Sequence, residues 1–256
     1  HRAISLAEIA GAPVFIVHVS GREAVEQIAW AQNRGLPVYG ETCPQYLFLG
    51  ADDMERPDFE GAKFMCSPPP RDRANPDTLW RALKHGTLQV FSSDHSPSRF
   101  EGPDGKKAHG TEAPFTKIAN GVPGLETRMP LMFSEGVSKG RISANEFVAL
   151  TATNPARMYG LGPAKGTIAV GSDADIVLWD PDRKTTLSND MLHHNVDFTP
   201  YEGMELTGWP VTTLSRGDVV WNDGEVLAQP GRGRFLARST PEPILRYRQT
   251  NAANAA

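Results

Sequence analysis

Two apolar runs of the sequence each end in a side chain that can bind a metal ion. Residues 88–91 are typical of a buried strand, and they lead into a polar loop that carries Asp94 and is closed by Pro97. A carboxylate at the end of a buried strand is costly to hold there without a partner such as a metal. Residues 14–17 form a second such run, which ends in His18. The pair predicts a metal-dependent α/β barrel enzyme, because such barrels build their sites at the carboxyl ends of their strands.

Helices are predicted between the strands of the first half. Capping signals mark three helix starts, at Ser20 with Glu23, at Asn75 with Pro76, and at Ser143 with Glu146. Residues 37–42 and 64–67 are further strand candidates. Strands separated by helices of this length indicate βα units and a parallel sheet.

A long loop is predicted directly after Asp94. Residues 96–124 are rich in glycine and proline and show neither helical nor strand periodicity. Loops of this length are usually functional or disordered. Because this one follows a candidate ligand, we expect it to be an active-site loop.

The second half changes character near Lys165. Short apolar runs at 166–171, 174–181 and 211–214 alternate with tight turns, and residues 222–224 form a hairpin turn. This pattern predicts a small all-β unit. The tail from Gln229 onward is rich in arginine, proline and alanine, and residues 251–256 are predicted to be disordered.

Composition narrows the functional class. The 256 residues suffice for one large domain or two smaller ones. The formal net charge of -4 gives no reason to expect a nucleic acid or an anionic membrane as partner. Cys43 and Cys66 lie in apolar surroundings, and two reduced, buried thiols favour a cytoplasmic location.

Several longer motifs resemble the hydantoinase/dihydropyrimidinase family of the amidohydrolase superfamily, and bacterial D-hydantoinases within it. The matching segments are HVS (18–20), YGETCPQYL (39–47), CSPPPRD (66–72), SSDH (92–95), FTKIANG (115–121), GTIAVGSDAD (166–175) and HHNVD (193–197). Enzymes of this family open hydantoins and 5,6-dihydropyrimidines to N-carbamoyl amino acids. The resemblance implies the same metal-dependent hydrolysis, a cyclic amide substrate, and a homo-oligomer, either tetramer or dimer.

The resemblance also implies roles for single residues. His18 matches the histidine of the sixth barrel strand, which binds one zinc ion of a binuclear pair. Asp94 matches the aspartate of the eighth strand, which binds the other zinc ion and transfers the proton. Ser67 and Asn120 match positions whose main-chain groups bind the substrate ring. His95 is expected to be a loop residue, and His193 and His194 are expected to form hydrogen bonds at the junction with the β unit.

The resemblance covers only part of the family's metal site. An H-x-H pair, a carboxylated lysine and a further histidine lie upstream in the family, and no H-x-H occurs in this sequence. We therefore expect the C-terminal part of a (β/α)8 TIM barrel, strands six to eight, over residues 1–162. A β-sandwich portion is expected over 163–235, and a partly disordered tail over 236–256.

Other interpretations stay open from the sequence. The segment Ser93 to Pro97 also fits allantoinases, which hydrolyse a cyclic ureide. A non-catalytic dihydropyrimidinase-like scaffold is a third possibility, but such proteins replace the eighth-strand aspartate, and Asp94 is present. A histidine at a strand end can also be purely structural, and Ser67 before three prolines could simply end a strand.

Overall fold

The computed structural model describes residues 1–254 and the side chains of residues 1–249. Two sheets organise these residues, one parallel and one antiparallel. The strands are β1 Val14–Ile16, β2 Val38–Thr42, β3 Val90–Phe91, β4 Ile176–Thr186, β5 Glu205–Ser215, β6 Asp218–Asn222 and β7 Glu225–Val226. The α-helices are α1 Arg2–Ala10, α2 Arg22–Asn33, α3 Pro44–Phe48, α4 Asn75–Lys84, α5 Arg128–Met132, α6 Ala144–Val148, α7 Asn154–Met158 and α8 Glu242–Asn254.

The first sheet has the order β1-β2-β3, and all its pairings are parallel. Val14 of β1 lies opposite Val38 of β2, and Thr42 at the end of β2 lies opposite Phe91 of β3. Helices α2 and α4 connect these strands, as the sequence predicted for βα units. The carboxyl ends of all three strands therefore meet at one edge, and the chain leaves each strand there.

Apolar side chains fill the space between the sheet and its helices. Helix α2 buries residues three apart, Val25 and Ile28, and α4 buries Leu79 and Leu83. These side chains belong to one apolar cluster with Phe91 of β3. The spacing of about one helical turn places them on one face of each helix, which explains why the two helices pack against the sheet.

The second sheet is antiparallel, with the order β4-β5-β6-β7. It matches the predicted all-β unit, and residues 223–224 form the turn between β6 and β7. Phe133 stacks on Trp179 of β4 with ring centroids 4.3 Å apart, and Phe147 meets the same indole edge-on. These rings fasten the antiparallel sheet to the helices after β3.

Three local predictions differ from the structure. Residues 64–67 do not form a strand, because a 3₁₀ helix, Glu60–Phe64, leads into an irregular turn. Residues 166–171 form no strand either, and the antiparallel sheet begins at Ile176. The parallel sheet has three strands among the described residues and does not close, as expected for part of a barrel. Residues 251–254, which were predicted to be disordered, belong to α8, and only residues 255–256 of that prediction lie outside the described residues.

Residues 96–124 do form a long loop, interrupted by one 3₁₀ turn, Phe115–Lys117. The loop ends at a single bridge between His95 and Val122, which ties its two ends to the sheet edge. No helix in the described part of the chain is long and apolar enough to cross a membrane.

Candidate active site

His18 and Asp94 lie just beyond the carboxyl ends of β1 and β3, on either side of β2. Both adopt positive φ angles, 42° for His18 and 45° for Asp94. Non-glycine residues with positive φ are uncommon and cluster at functional sites, because the conformation costs free energy that surrounding contacts must offset. The two side chains predicted to bind metal are thus held in the same unusual turn geometry.

Contacts from β2 hold the turn after β1. Glu41 is a buried carboxylate, and its Oε1 accepts a hydrogen bond from the His18 N–H at 3.2 Å. The Thr42 hydroxyl donates to the Val19 carbonyl at 2.7 Å, and the Val19 N–H donates to the Glu41 carbonyl at 2.8 Å. These bonds continue the β1–β2 pairing past the strand end and fix the backbone of His18.

Asp94 is half-buried and receives one side-chain hydrogen bond. The Gln45 amide donates from Nε2 to Asp94 Oδ2 at 3.1 Å, and Gln45 itself is fully buried. Among the described residues, no hydrogen bond reaches Asp94 Oδ1. Burial raises the pKa of Asp94; the nearby His18 lowers that pKa and Glu41 raises it further. Asp94, His18 and Glu41 therefore share one electrostatic environment.

Ser67 and Asn120 line one cavity of about 550 Å³ next to this strand edge. Its wall also includes Met65, Phe115 and Ile118. Two segments that lie far apart in the sequence, around residues 65–69 and 115–120, therefore line the same cavity. The cavity combines apolar walls with the polar side chains of Ser67, Thr116 and Asn120, which is typical of small-molecule sites.

The cavity adjoins the acidic strand end. Cys66 lines the cavity beside Ser67, and burial together with the Asp94 charge raises the pKa of the Cys66 thiol to about 12. Burial also raises the pKa of Cys43. Both cysteines are free and buried, as the sequence predicted.

His95 and His193, two further histidines near the site, have structural hydrogen bonds. His95 Nδ1 accepts from the Gly124 and Leu125 N–H groups at 3.1 Å each. His193 Nδ1 pairs with Glu126 at 2.9 Å, and its ring meets Trp221 edge-on at the junction between the two sheets. The His95 and His193 roles agree with those expected from the sequence.

His18 and Asp94 supply two donors of the types that bind zinc. Within the described residues, no group of three or more His, Cys, Asp and Glu side chains is placed to hold a metal ion. Catalytic zinc sites use three protein ligands. By donor type, these two side chains alone would fit only part of such a site.

The sequence did not point to Gln45, Glu41 or Lys106. Gln45 and Asp94 are 49 residues apart, so only the fold brings them together. Glu41 could have been noticed as an acid at the end of an apolar strand, which is the same signal that identified Asp94. Lys106 is a buried lysine inside the long loop, where charged residues are usually solvated.

The family model that describes the Amidohydrolase family matches residues 58–220. The chain belongs to the amidohydrolase family. Among similar family members, it is 48% identical over 238 residues to a D-hydantoinase of Geobacillus stearothermophilus, covering 93% of this chain and 50% of that protein. The chain spans about half the length of the curated relatives it matches.

Solved structures of the amidohydrolase family give the same result. A dihydropyrimidinase from Brevibacillus agri superposes with a TM-score of 0.90 at 51% identity, covering 93% of this chain and 51% of that one. An L-hydantoinase (dihydropyrimidinase) from Arthrobacter aurescens superposes with a TM-score of 0.83 at 38% identity, covering 93% and 51%. A solved D-hydantoinase superposes with a TM-score of 0.89 at 47% identity, covering 93% and 51%, so structures named for either handedness resemble this chain.

Proposed function

We propose that the complete protein containing this chain hydrolyses cyclic amides, namely hydantoins and 5,6-dihydropyrimidines, to N-carbamoyl amino acids. The observation that carries the proposal is the meeting of His18 and Asp94 at one sheet edge, beside the cavity lined by Ser67 and Asn120. The relatives named D-hydantoinase and dihydropyrimidinase support this substrate class over the ureide of allantoinases.

The proposed site is binuclear and uses zinc. In this proposal β1, β2 and β3 are the sixth to eighth strands of a (β/α)8 barrel over residues 1–162, and residues 163–235 belong to a β-sandwich. His18 and Asp94 bind one zinc ion each, and the remaining ligands, including a carboxylated lysine, come from the preceding half of the protein. Bound zinc would supply Lewis acidity toward the amide carbonyl and toward water.

Asp94 is the proposed general base and acid. It takes a proton from the attacking water as the new C–O bond forms, and it returns that proton to the ring nitrogen as the C–N bond breaks. Gln45 holds Oδ2 in place, so that Oδ1 can receive and return the proton.

Ser67 and Asn120 are the proposed substrate-binding residues. Their positions in the lining of one cavity allow main-chain groups to form hydrogen bonds with the amide and ureide edges of a planar ring. Such bonds would orient the scissile carbonyl toward the strand ends. We further propose a cytoplasmic homo-oligomer, a tetramer or dimer, in line with the two free thiols and the family resemblance.

A substrate panel tests the proposed function. The complete protein is incubated with a 5-substituted hydantoin, dihydrouracil and allantoin, and ring-opened products are separated by chromatography. The proposal predicts N-carbamoyl amino acids from the first two. Preferential opening of allantoin would favour the allantoinase interpretation, and the absence of any ring opening would favour a non-catalytic scaffold.

A further inference from the structure

Lys106 is a buried lysine in the long loop that follows Asp94. Its exposed fraction is 1%, and its ammonium donates to three main-chain carbonyls: Ala119 at 2.8 Å, Gly121 at 2.9 Å and Met65 at 3.4 Å. The ammonium also lies 5.9 Å from the centre of the Phe198 ring. Among the described residues, no carboxylate pairs with it. Lysine is almost never fully buried without a partner, and here the partners are peptide carbonyls.

The backbone beneath Lys106 is itself anchored. The Lys106 N–H donates to the Arg99 carbonyl at 2.8 Å, which closes a compact turn. The Phe100 and Glu101 N–H groups donate to the Asp197 carboxylate at 2.6 and 3.0 Å. The backbone from which the Lys106 side chain extends is therefore held by hydrogen bonds.

The three carbonyls belong to the two segments that line the cavity on either side of Ser67 and Asn120 in the sequence. Met65 is two residues before Ser67, while Ala119 and Gly121 flank Asn120. The Ala119 carbonyl shares its peptide plane with the Asn120 N–H, so its hydrogen bond fixes the orientation of that N–H. The Gly121 N–H also donates to the Met65 carbonyl at 3.0 Å. One ammonium thus forms hydrogen bonds with both segments that line the cavity.

We propose that Lys106 is a positioning residue that holds the Ser67 and Asn120 segments together as a preformed binding edge for the amide and ureide groups of a cyclic substrate. The inference rests on the proposed function for the identity of that substrate. A preformed edge lowers the entropy cost of binding, because the main-chain donors and acceptors are already ordered. Loss of the ammonium leaves three carbonyls without their shared donor and lets the two segments separate.

The test compares Lys106→Met with Lys107→Met in the complete protein. Both replacements remove one ammonium from the same loop, but Lys107 pairs with Glu101 at the surface and does not reach the cavity walls. We expect Lys106→Met to raise the KM for dihydrouracil about tenfold or more with kcat changed less, since loss of ground-state binding appears in KM. Hydrogen exchange of the Gly121 amide should accelerate by at least about tenfold in Lys106→Met, and Lys107→Met should match the unmodified protein in both measurements.

Two results would overturn the inference. One is an unchanged KM in an active Lys106→Met protein, whatever its exchange rates; the other is an equal effect of Lys107→Met. If Lys106→Met does not fold, Lys106→Gln, which keeps two donor hydrogens without the charge, is measured in the same way. If the unmodified protein opens no cyclic amide, the proposed function fails. The role of Lys106 is then tested separately by hydrogen exchange, and equal exchange rates of the Gly121 amide in Lys106→Met and in the unmodified protein would exclude it.

Discussion

At the scale of single residues, the site depends on how two strand ends are held. His18 and Asp94 share a left-handed backbone conformation, and both are fixed by residues of the segment 41–45 between them. The carboxylate that would be costly to bury alone is close to an imidazole and accepts an amide hydrogen bond. A half-buried acid with these neighbours is suited to proton transfer, because one carboxylate oxygen is held by Gln45 and, among the described residues, the other accepts no hydrogen bond.

Replacement of Asp94 by asparagine tests this role. Asp94→Asn keeps the side-chain volume but cannot accept the proton, so we expect the complete protein to lose roughly 10²- to 10⁴-fold in kcat. Asp104→Asn, an exposed acid on the same loop, is the control and should keep its activity. Circular dichroism should show the same fold in both proteins. More than about a tenth of the original rate in Asp94→Asn would contradict the assignment.

The buried charge of Lys106 predicts a pH effect on stability. Burial lowers the pKa of Lys106 to about 8, whereas an unfolded lysine titrates near 10.4. Between these values the unfolded chain binds more protons, so folding becomes more favourable as pH rises, by at most about 1.4 kcal/mol per pH unit. Urea unfolding at pH 7.5 and 9.5 should show the complete protein gaining stability over Lys106→Met, which lacks this group. A difference that stays constant with pH would contradict the prediction.

His18 and Asp94 could be found from the sequence because each directly follows an apolar strand, and Ser67 and Asn120 because they lie in family motifs. Gln45 and Lys106 could not be found in this way. Gln45 contacts a residue 49 positions away in the sequence, and Lys106 contacts residues 13 to 41 positions away. Sequence patterns identify which residues can carry chemistry. The supporting hydrogen bonds become visible only when the segments are packed together.

At the scale of elements, capping shows where local signals prevail. Ser143 and Glu146 form the predicted capping box, and the Ser143 hydroxyl accepts from the Glu146 N–H at 3.2 Å. The capping box predicted for Ser20 and Glu23 does not form. Gly21 is the N-cap residue of α2, and Asn75 Oδ1 accepts a hydrogen bond from the Arg22 N–H at 2.8 Å. A partner from another element has replaced the local one, and no sequence window would contain both.

The junction between the sheets gives a prediction at this scale. Gly208 of β5 has φ 92°, and an added Cβ would lie 2.3 Å from the Phe133 ring, which is stacked on Trp179 and cannot move freely. Gly171 has almost the same φ, 93°, and open space around it. Both alanine replacements incur the left-handed backbone cost, but Gly208→Ala should destabilise the protein by about 1–3 kcal/mol more. Equal unfolding midpoints for the two variants would show that this contact is not tight.

At the scale of the whole molecule, the sequence predicted both the order of the elements and an incomplete barrel. Alternating strands and helices predicted the parallel sheet, and hairpin turns predicted the antiparallel one. The described residues contain three parallel strands, and both proposed ligands follow strands of this sheet. Two protein ligands are fewer than the three that a catalytic zinc site uses.

The 256-residue chain by itself therefore gives a further prediction. We expect no measurable opening of hydantoin or dihydrouracil by the isolated chain, because His18 and Asp94 would hold a metal only weakly. We also expect aggregation or melting at low temperature, since the edges of the parallel sheet offer unpaired main-chain groups. Addition of the preceding half of the protein in trans should restore metal content and turnover. Ring opening by the isolated, monomeric chain would contradict this account.

Metal dependence of the complete protein tests the central claim most directly. Purified protein is stripped of metal with a chelator, its metal content is measured, and the opening of dihydrouracil is followed before and after Zn²⁺ is returned. If His18 and Asp94 belong to a catalytic metal site, activity falls to background with the metal and returns with it, whereas Asp94→Asn stays inactive at every zinc concentration. Ring opening that survives complete metal removal would show that these two residues serve another purpose.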